Sequence, residues 1–294
     1  MKKVAWITDD FYLEHDTDGG PESPERLESI NYQMKTLHEE LMLVEPREAT
    51  VDVIEMIHSP EMISFAIDSD AILDKQSYKV AVKAVGAGLV AVDGVKNHEF
   101  ERAFCAVRPP GHHATPTESM GFCIFNNIAV TARYAQNEGY KKVMIIDFDV
   151  HHGNGTQDAF YDDDTVFFFS THQVDSYPKT GKESETGSGK GVGYTANYRF
   201  EANSSDKEYL EIYGKELTRA YNFFNPDIIL VSAGYDIHES DPLVQMDVTT
   251  EGIAKIVRNI LDLGDKPVIF FLEGGYSSND LGLNVVATVK EMLK

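Results

Sequence analysis

The chain has 294 residues, 42% of them hydrophobic, and a formal charge of −22 from 26 basic and 48 acidic side chains. So acidic a chain argues against nucleic acid or an anionic membrane as partner, because phosphate binding needs a basic face. No apolar run approaches the roughly 20 residues of a membrane helix, and the even composition, without linker or low-complexity tract, predicts one domain over residues 1–294.

In chain order, Val4–Thr8 comes first, an apolar run too short for the core of a signal peptide and followed at once by Asp9-Asp10. It reads as a buried strand. Arg26–Leu41 and Val80–Gly94 have helical spacing. Ala103–Val107 predicts a strand that runs into Arg108-Pro109-Pro110-Gly111-His112-His113, with a helix over Asn127–Glu138 behind it. Val143–Ile146 is a strand leading into Asp147-Phe148-Asp149-Val150-His151-His152-Gly153-Asn154-Gly155, and Val166–Phe169 another. A helix over Asp206–Phe224 stops at Asn225-Pro226. Strand Ile228–Val231 then runs into Ser232-Ala233-Gly234-Tyr235-Asp236. A helix over Thr250–Leu263 starts at Thr249-Thr250-Glu251, and strand Val268–Leu272 ends in Glu273-Gly274-Gly275-Tyr276.

These strands are continuous apolar runs rather than alternating ones, and helices separate them. That pattern predicts an α/β fold, an open and mostly parallel sheet with helices on both faces. In such sheets ligands bind beyond the carboxyl ends of the strands, which is where four of these strands deliver ionisable or glycine-rich segments.

The chemistry follows from that convergence. Residues i and i+2 of an extended segment face one way, so Asp149 and His151 are expected to share a metal ion, with Asp236 reaching it from another strand end. Two carboxylates and one imidazole with a fourth position open suit catalytic zinc, and ferrous iron is compatible with the same donors. The tandem His112-His113 suits acid–base work near neutral pH, and Tyr276, after two glycines, suits an oxyanion donor. Cys105 and Cys123 lack CxxC spacing, so no disulfide framework is expected and a reducing, cytoplasmic setting fits. The negative charge serves solubility or a salt-adapted surface first, and the steering of cationic substrates is the alternative.

Longer segments make the pattern specific. Pro-Glu-Ser-Pro-Glu-Arg-Leu at 21–27, His-Ser-Pro-Glu at 58–61, Arg-Pro-Pro-Gly-His-His-Ala at 108–114 and Gly-Phe-Cys-Ile-Phe-Asn-Asn at 121–127 are four of them. Asp-Phe-Asp-Val-His-His-Gly-Asn-Gly-Thr-Gln at 147–157, Ser-Ala-Gly-Tyr-Asp at 232–236, Asp-Pro-Leu at 241–243 and Glu-Gly-Gly-Tyr at 273–276 complete the set. In this the chain resembles the arginase/deacetylase superfamily, and within it the histone deacetylase branch with acetylpolyamine amidohydrolases and bacterial deacetylase-like amidohydrolases.

The resemblance implies a zinc-dependent deacylase acting on a small-molecule or peptide acyl amine. It implies Asp149, His151 and Asp236 as zinc ligands and His113 as general base. His112, hydrogen-bonded to Asp147, becomes its electrostatic partner, and Tyr276 holds the carbonyl oxygen. Phe122 and Tyr177 would wall an acyl-chain tunnel, with Gly121 beside them and Leu243 near the mouth. Arg26 would lie behind the site and Asp70 match a rim aspartate. Asp147 and Ser170, with main-chain carbonyls of Asp149, His151 and Thr171, would form an inner monovalent-cation site for K+ or Na+.

Two departures stand out. Gly20 precedes Pro21 where many relatives have histidine, and Asn154 stands opposite His113 where some branches carry aspartate, which leaves His113 less basic and resembles the class II-type branch. No long loop fits between His58 and Arg108, as acetylpolyamine amidohydrolases have. The alternatives are a ureohydrolase of the arginase type with two manganese ions, which needs a second set of bridging carboxylates, and a non-catalytic acyl-amine binder, which would lack the tyrosine or a ligand.

Overall fold

The computed structural model describes residues 2–73 and 76–294. Eight strands form one sheet: β1 (Val4–Ile7), β2 (Met42–Val44), β3 (Arg102–Cys105), β4 (Val143–Asp147), β5 (Val166–Gln173), β6 (Thr195–Phe200), β7 (Ile228–Ala233) and β8 (Val268–Leu272). Their order is β2-β1-β3-β8-β7-β4-β5-β6, and every neighbouring pair is parallel. The α/β class is as expected. β4, β7 and β8 are buried at every position, which is why they read as unbroken apolar runs.

The helices are α1 (Pro24–Met34), α2 (Val51–Ile54), α3 (Pro60–Leu73), α4 (Ser77–Lys96), α5 (Asn127–Asn137), α6 (Asn154–Phe160), α7 (Asp206–Glu211), α8 (Leu217–Phe224), α9 (Thr250–Leu261) and α10 (Leu281–Met292). They cover both faces of the sheet. Among the described residues no helix is long and apolar enough to cross a membrane.

The outermost strands escape the sequence pattern for physical reasons. β2 is three residues long and largely exposed. β6 reads Thr-Ala-Asn-Tyr-Arg-Phe and is only partly buried, as an edge strand is. The helix expected over Arg26–Leu41 ends at Met34. The apolar spacing of Leu27, Ile30, Met34, Leu37 and Leu41 imitates a longer helix, but the Thr36 hydroxyl turns back to the Gln33 carbonyl (2.9 Å) and a 3-10 turn takes over at His38–Glu40. The helix expected over Asp206–Phe224 is interrupted by a π turn at Ile212–Glu216, a feature often found near functional sites. There the buried Tyr213 brings its hydroxyl to Thr171 Oγ1 (3.0 Å).

Register sets the site. Asp147, the last residue of β4, lies between Ser170 of β5 and Ser232 of β7. Ala233 of β7 pairs with Leu272, the last residue of β8. The central strand ends therefore open onto one crevice, the place where an open parallel sheet binds its ligands.

Candidate active site

Strand β4 ends at Asp147, and Asp149 to His151 lie in a bend beyond it rather than in the extended segment expected. Aspartate side chains shape that bend. Asp149 N donates to Asp147 Oδ1 (3.1 Å), and His151 N donates to Asp149 Oδ1 (2.8 Å), the local turn chemistry that aspartate favours. From the end of β7, Asp236 Oδ1 accepts from Val150 N (3.0 Å). The result brings the three expected ligands together: one donor atom each of Asp149, His151 and Asp236 lies within 4.8 Å of the others.

A divalent cation fits this cluster. Both carboxylates are buried, and the half-buried His151 presents Nδ1 at 3.1 Å from Asp149 Oδ1 and from Asp236 Oδ2. Burial lowers the affinity of that imidazole for a proton, yet the two carboxylates outweigh it and raise its pKa to about 11. The pocket demands positive charge. Gly234 and Gly274 leave room for the carboxylates themselves, since a Cβ on either would collide with them. One nitrogen and two oxygens suit zinc or ferrous iron, and no second group of three such ligands occurs among the described residues.

The two histidines behind the cluster are electrostatically unlike. His112 Nδ1 sits 3.0 Å from Asp147 Oδ2. Burial lowers its pKa, but Asp149 and Asp147 override this and lift it to about 10. His113 Nδ1 instead faces Asn154 Oδ1 at 2.8 Å. A carbonyl oxygen only accepts, so Nδ1 carries the hydrogen and Nε2 keeps a free lone pair. Burial and the neighbouring His112 push the His113 pKa well down. The two adjacent imidazoles are thus pushed in opposite directions.

Tyr276 closes the far side. Its ring lies edge-on to Phe122, with centroids 6.2 Å apart, and under the Arg26 guanidinium at 5.0 Å. Arg26 donates to the Gly275 carbonyl (2.7 Å) and the Glu273 carbonyl (2.5 Å). The metal-type triad, the histidine pair and a tyrosine supported by arginine thus meet at one sheet edge.

Known proteins resemble this chain in sequence and in fold. The histone deacetylase domain family matches residues 20–292. The chain belongs to the histone deacetylase family. It is similar to the "Probable deacetylase" of Archaeoglobus fulgidus, 36% identical over 90% of this chain and 79% of that one. It is also similar to "Histone deacetylase 10, chloroplastic" of Oryza sativa subsp. japonica, 38% identical over 95% of this chain and 71% of that one. The crystal structure of the HDA15 HD domain superposes with a TM-score of 0.95 at 32% identity, covering 99% of this chain and 88% of that one.

The remaining expected residues of this histone deacetylase-family chain fall as follows. Tyr177 stands edge-on to His113, centroids 5.0 Å apart, so it and Phe122 flank the site from two sides. Leu243, Phe122 and Tyr177 are 49%, 45% and 44% exposed, an apolar rim open to solvent. Gly121 has a φ of +58° and its missing Cβ is what lets His113 lie against it. Ser170 and Thr171 lie beside Asp147, Thr171 Oγ1 reaching the Asp147 carbonyl at 3.5 Å. Asp70 stands apart from the catalytic cluster. On α3 it lines a separate cavity with Ser69, Tyr78, Ser119 and Ile124, and its Oδ1 is buried without a hydrogen-bond partner.

Three buried acids were not picked out individually by sequence reasoning. Glu22 accepts from Arg108 Nε (2.6 Å), Arg108 Nη2 (2.8 Å) and Arg26 Nη1 (2.9 Å), and so ties the start of the His112-His113 loop to Arg26. Glu273 Oε2 accepts from Gly111 N (2.7 Å) and His112 N (3.2 Å). Asp241 accepts from Tyr276 N (2.7 Å) and Leu243 N (3.0 Å). Each lies inside a quoted motif, but no motif shows that Glu22 meets Arg108 of another motif or that Glu273 and Asp241 meet backbone amides.

Proposed function

We propose that the chain is a zinc-dependent deacylase that hydrolyses the N-acetyl or other short acyl amide of a lysine-like or polyamine substrate. The observation that carries this reading is the Asp149–His151–Asp236 cluster set beside two adjacent histidines, His112 against Asp147 and His113 against Asn154. When bound there, zinc polarises an amide carbonyl and lowers the pKa of water toward about 7.

The protein's own groups do the rest. His113 Nε2 takes the proton of the attacking water, a role general bases fill with roughly 10²–10⁴-fold effect. Its Nδ1–H bond to Asn154 Oδ1 fixes the tautomer that this requires. His112, hydrogen-bonded to Asp147, stabilises the negative charge of the reacting amide and supplies the proton the leaving amine needs. Tyr276 donates its hydroxyl to the carbonyl oxygen as charge builds. Phe122 and Tyr177 hold an aliphatic amine chain between apolar faces, and Leu243 guards their opening. Asp147, Ser170 and Thr171 with adjacent main-chain carbonyls are proposed to hold K+ or Na+ beneath His112. The chain's charge of −22 favours a cationic substrate, and the two buried free thiols suit a reducing cytoplasm.

Zinc-loaded protein is expected to hydrolyse a fluorogenic acetyl-lysine amide and to be inhibited by a hydroxamate. Absence of that hydrolysis, with urea released from arginine under manganese, would favour the ureohydrolase reading. Absence of both, with acyl-amine binding retained, would favour a binder.

A further inference from the structure

Tyr276 is attached to the sheet by a segment with little stiffness of its own. Gly274 and Gly275 precede it, and Gly275 has a φ of +117°, a backbone state open almost only to glycine. External ties must therefore fix the tyrosine. On one side Arg26 holds the Gly275 carbonyl. On the other, the Tyr276 amide donates to Asp241 Oδ2 at 2.7 Å. Asp241 is 8% exposed, and its second oxygen, Oδ1, accepts from Leu243 N at 3.0 Å. Its own amide donates to the His238 carbonyl (2.9 Å), which roots the loop after β7. One carboxylate thus grips the oxyanion tyrosine with one oxygen and the rim leucine with the other.

We propose that Asp241 is a positioning residue that acts through Tyr276, setting the rate of hydrolysis by locking the tyrosine backbone to the rim at Leu243. This rests on the deacylase reading above. A carboxylate suits this junction because the two backbone N–H donors approach different oxygens, Tyr276 N on Oδ2 and Leu243 N on Oδ1, so both atoms at the tip of the side chain must accept. Asparagine has the same shape but one acceptor, so in Asp241→Asn an NH2 group must face one of the amides.

The test is a double-mutant cycle on zinc-loaded protein. Asp241→Asn is expected to lower kcat by about 10–100-fold, the scale of a displaced catalytic group, with KM changed by less than about threefold and zinc content intact. In a Tyr276→Phe background the same substitution is expected to cost less than about twofold more, since no hydroxyl remains to be positioned. An unchanged kcat, or losses that multiply in full, would overturn the proposal. Hydrogen exchange gives a readout independent of catalysis. The peptide covering residues 274–280 should be protected in the native chain and exchange faster in Asp241→Asn, while β1 does not change. An unprotected Tyr276 amide in the native chain overturns the tie even where the variant fails to fold. If exchange responds as expected but the native chain hydrolyses no acyl amide, the deacylase reading fails and the tie stands.

Discussion

Asp236→Ala protein is expected to bind no zinc at stoichiometric concentration and to lose at least about 10³-fold in kcat, since a bound cation supplies several kcal/mol to such reactions and each 1.36 kcal/mol is tenfold. Asp236 is the informative position because it lies in the loop after β7, whereas Asp149 and His151 share the bend after β4. Its removal leaves those two in place and also frees Val150 N, which donates to Asp236 Oδ1. The remaining pair supplies two protein ligands, one short of the usual catalytic set. Metal content by elemental analysis, beside activity on an acetyl-lysine amide, checks this. Full zinc occupancy with native activity would remove Asp236 from the site.

The second large effect is on proton transfer. His113→Ala should lower kcat by about 10²–10⁴-fold while zinc content stays at one per chain and KM moves little. The expectation comes from geometry. With Nδ1 committed to Asn154 at 2.8 Å, Nε2 is free to accept, and burial together with the neighbouring His112 lowers the ring's affinity for a resident proton. The same environment makes His112 a poor substitute, because its carboxylate neighbours hold its proton. A variant with unchanged kcat would show that another group removes the proton.

Much of this was legible in the residues. Buried central strands such as Val143–Asp147 and Val268–Leu272 announce themselves as unbroken apolar runs, because both faces are covered by helices. The segments after them carry the chemistry in contiguous form, so Asp149, His151, Asp236, the histidine pair and Tyr276 could be named and then found together. Where the reading fell short, the cause is physical. Met42–Val44 is too short and too exposed to carry a period. A π turn at Ile212–Glu216 inserts a residue into a helix without changing its apolar spacing enough to be seen.

The supporting acids failed for a different reason. Asp241, Glu22 and Glu273 are ordinary carboxylates until folding brings backbone amides, or arginines from another element, to them. What distinguishes them is burial with partners, and a sequence without the fold contains neither. The bend at Asp149–His151 makes the same point in reverse. An extended-strand argument chose the right pair, but the side chains converge through hydrogen bonds to aspartate rather than through strand alternation.

The account depends most on a single divalent ion held by three side chains from two strand ends. Anomalous diffraction at the zinc edge from crystals of the zinc-loaded protein tests it most directly. The predicted result is one peak, about 2.0–2.2 Å from a His151 nitrogen and from oxygens of Asp149 and Asp236. A peak elsewhere, or a second ion roughly 3.5–4 Å from the first as in two-metal hydrolases, would contradict it.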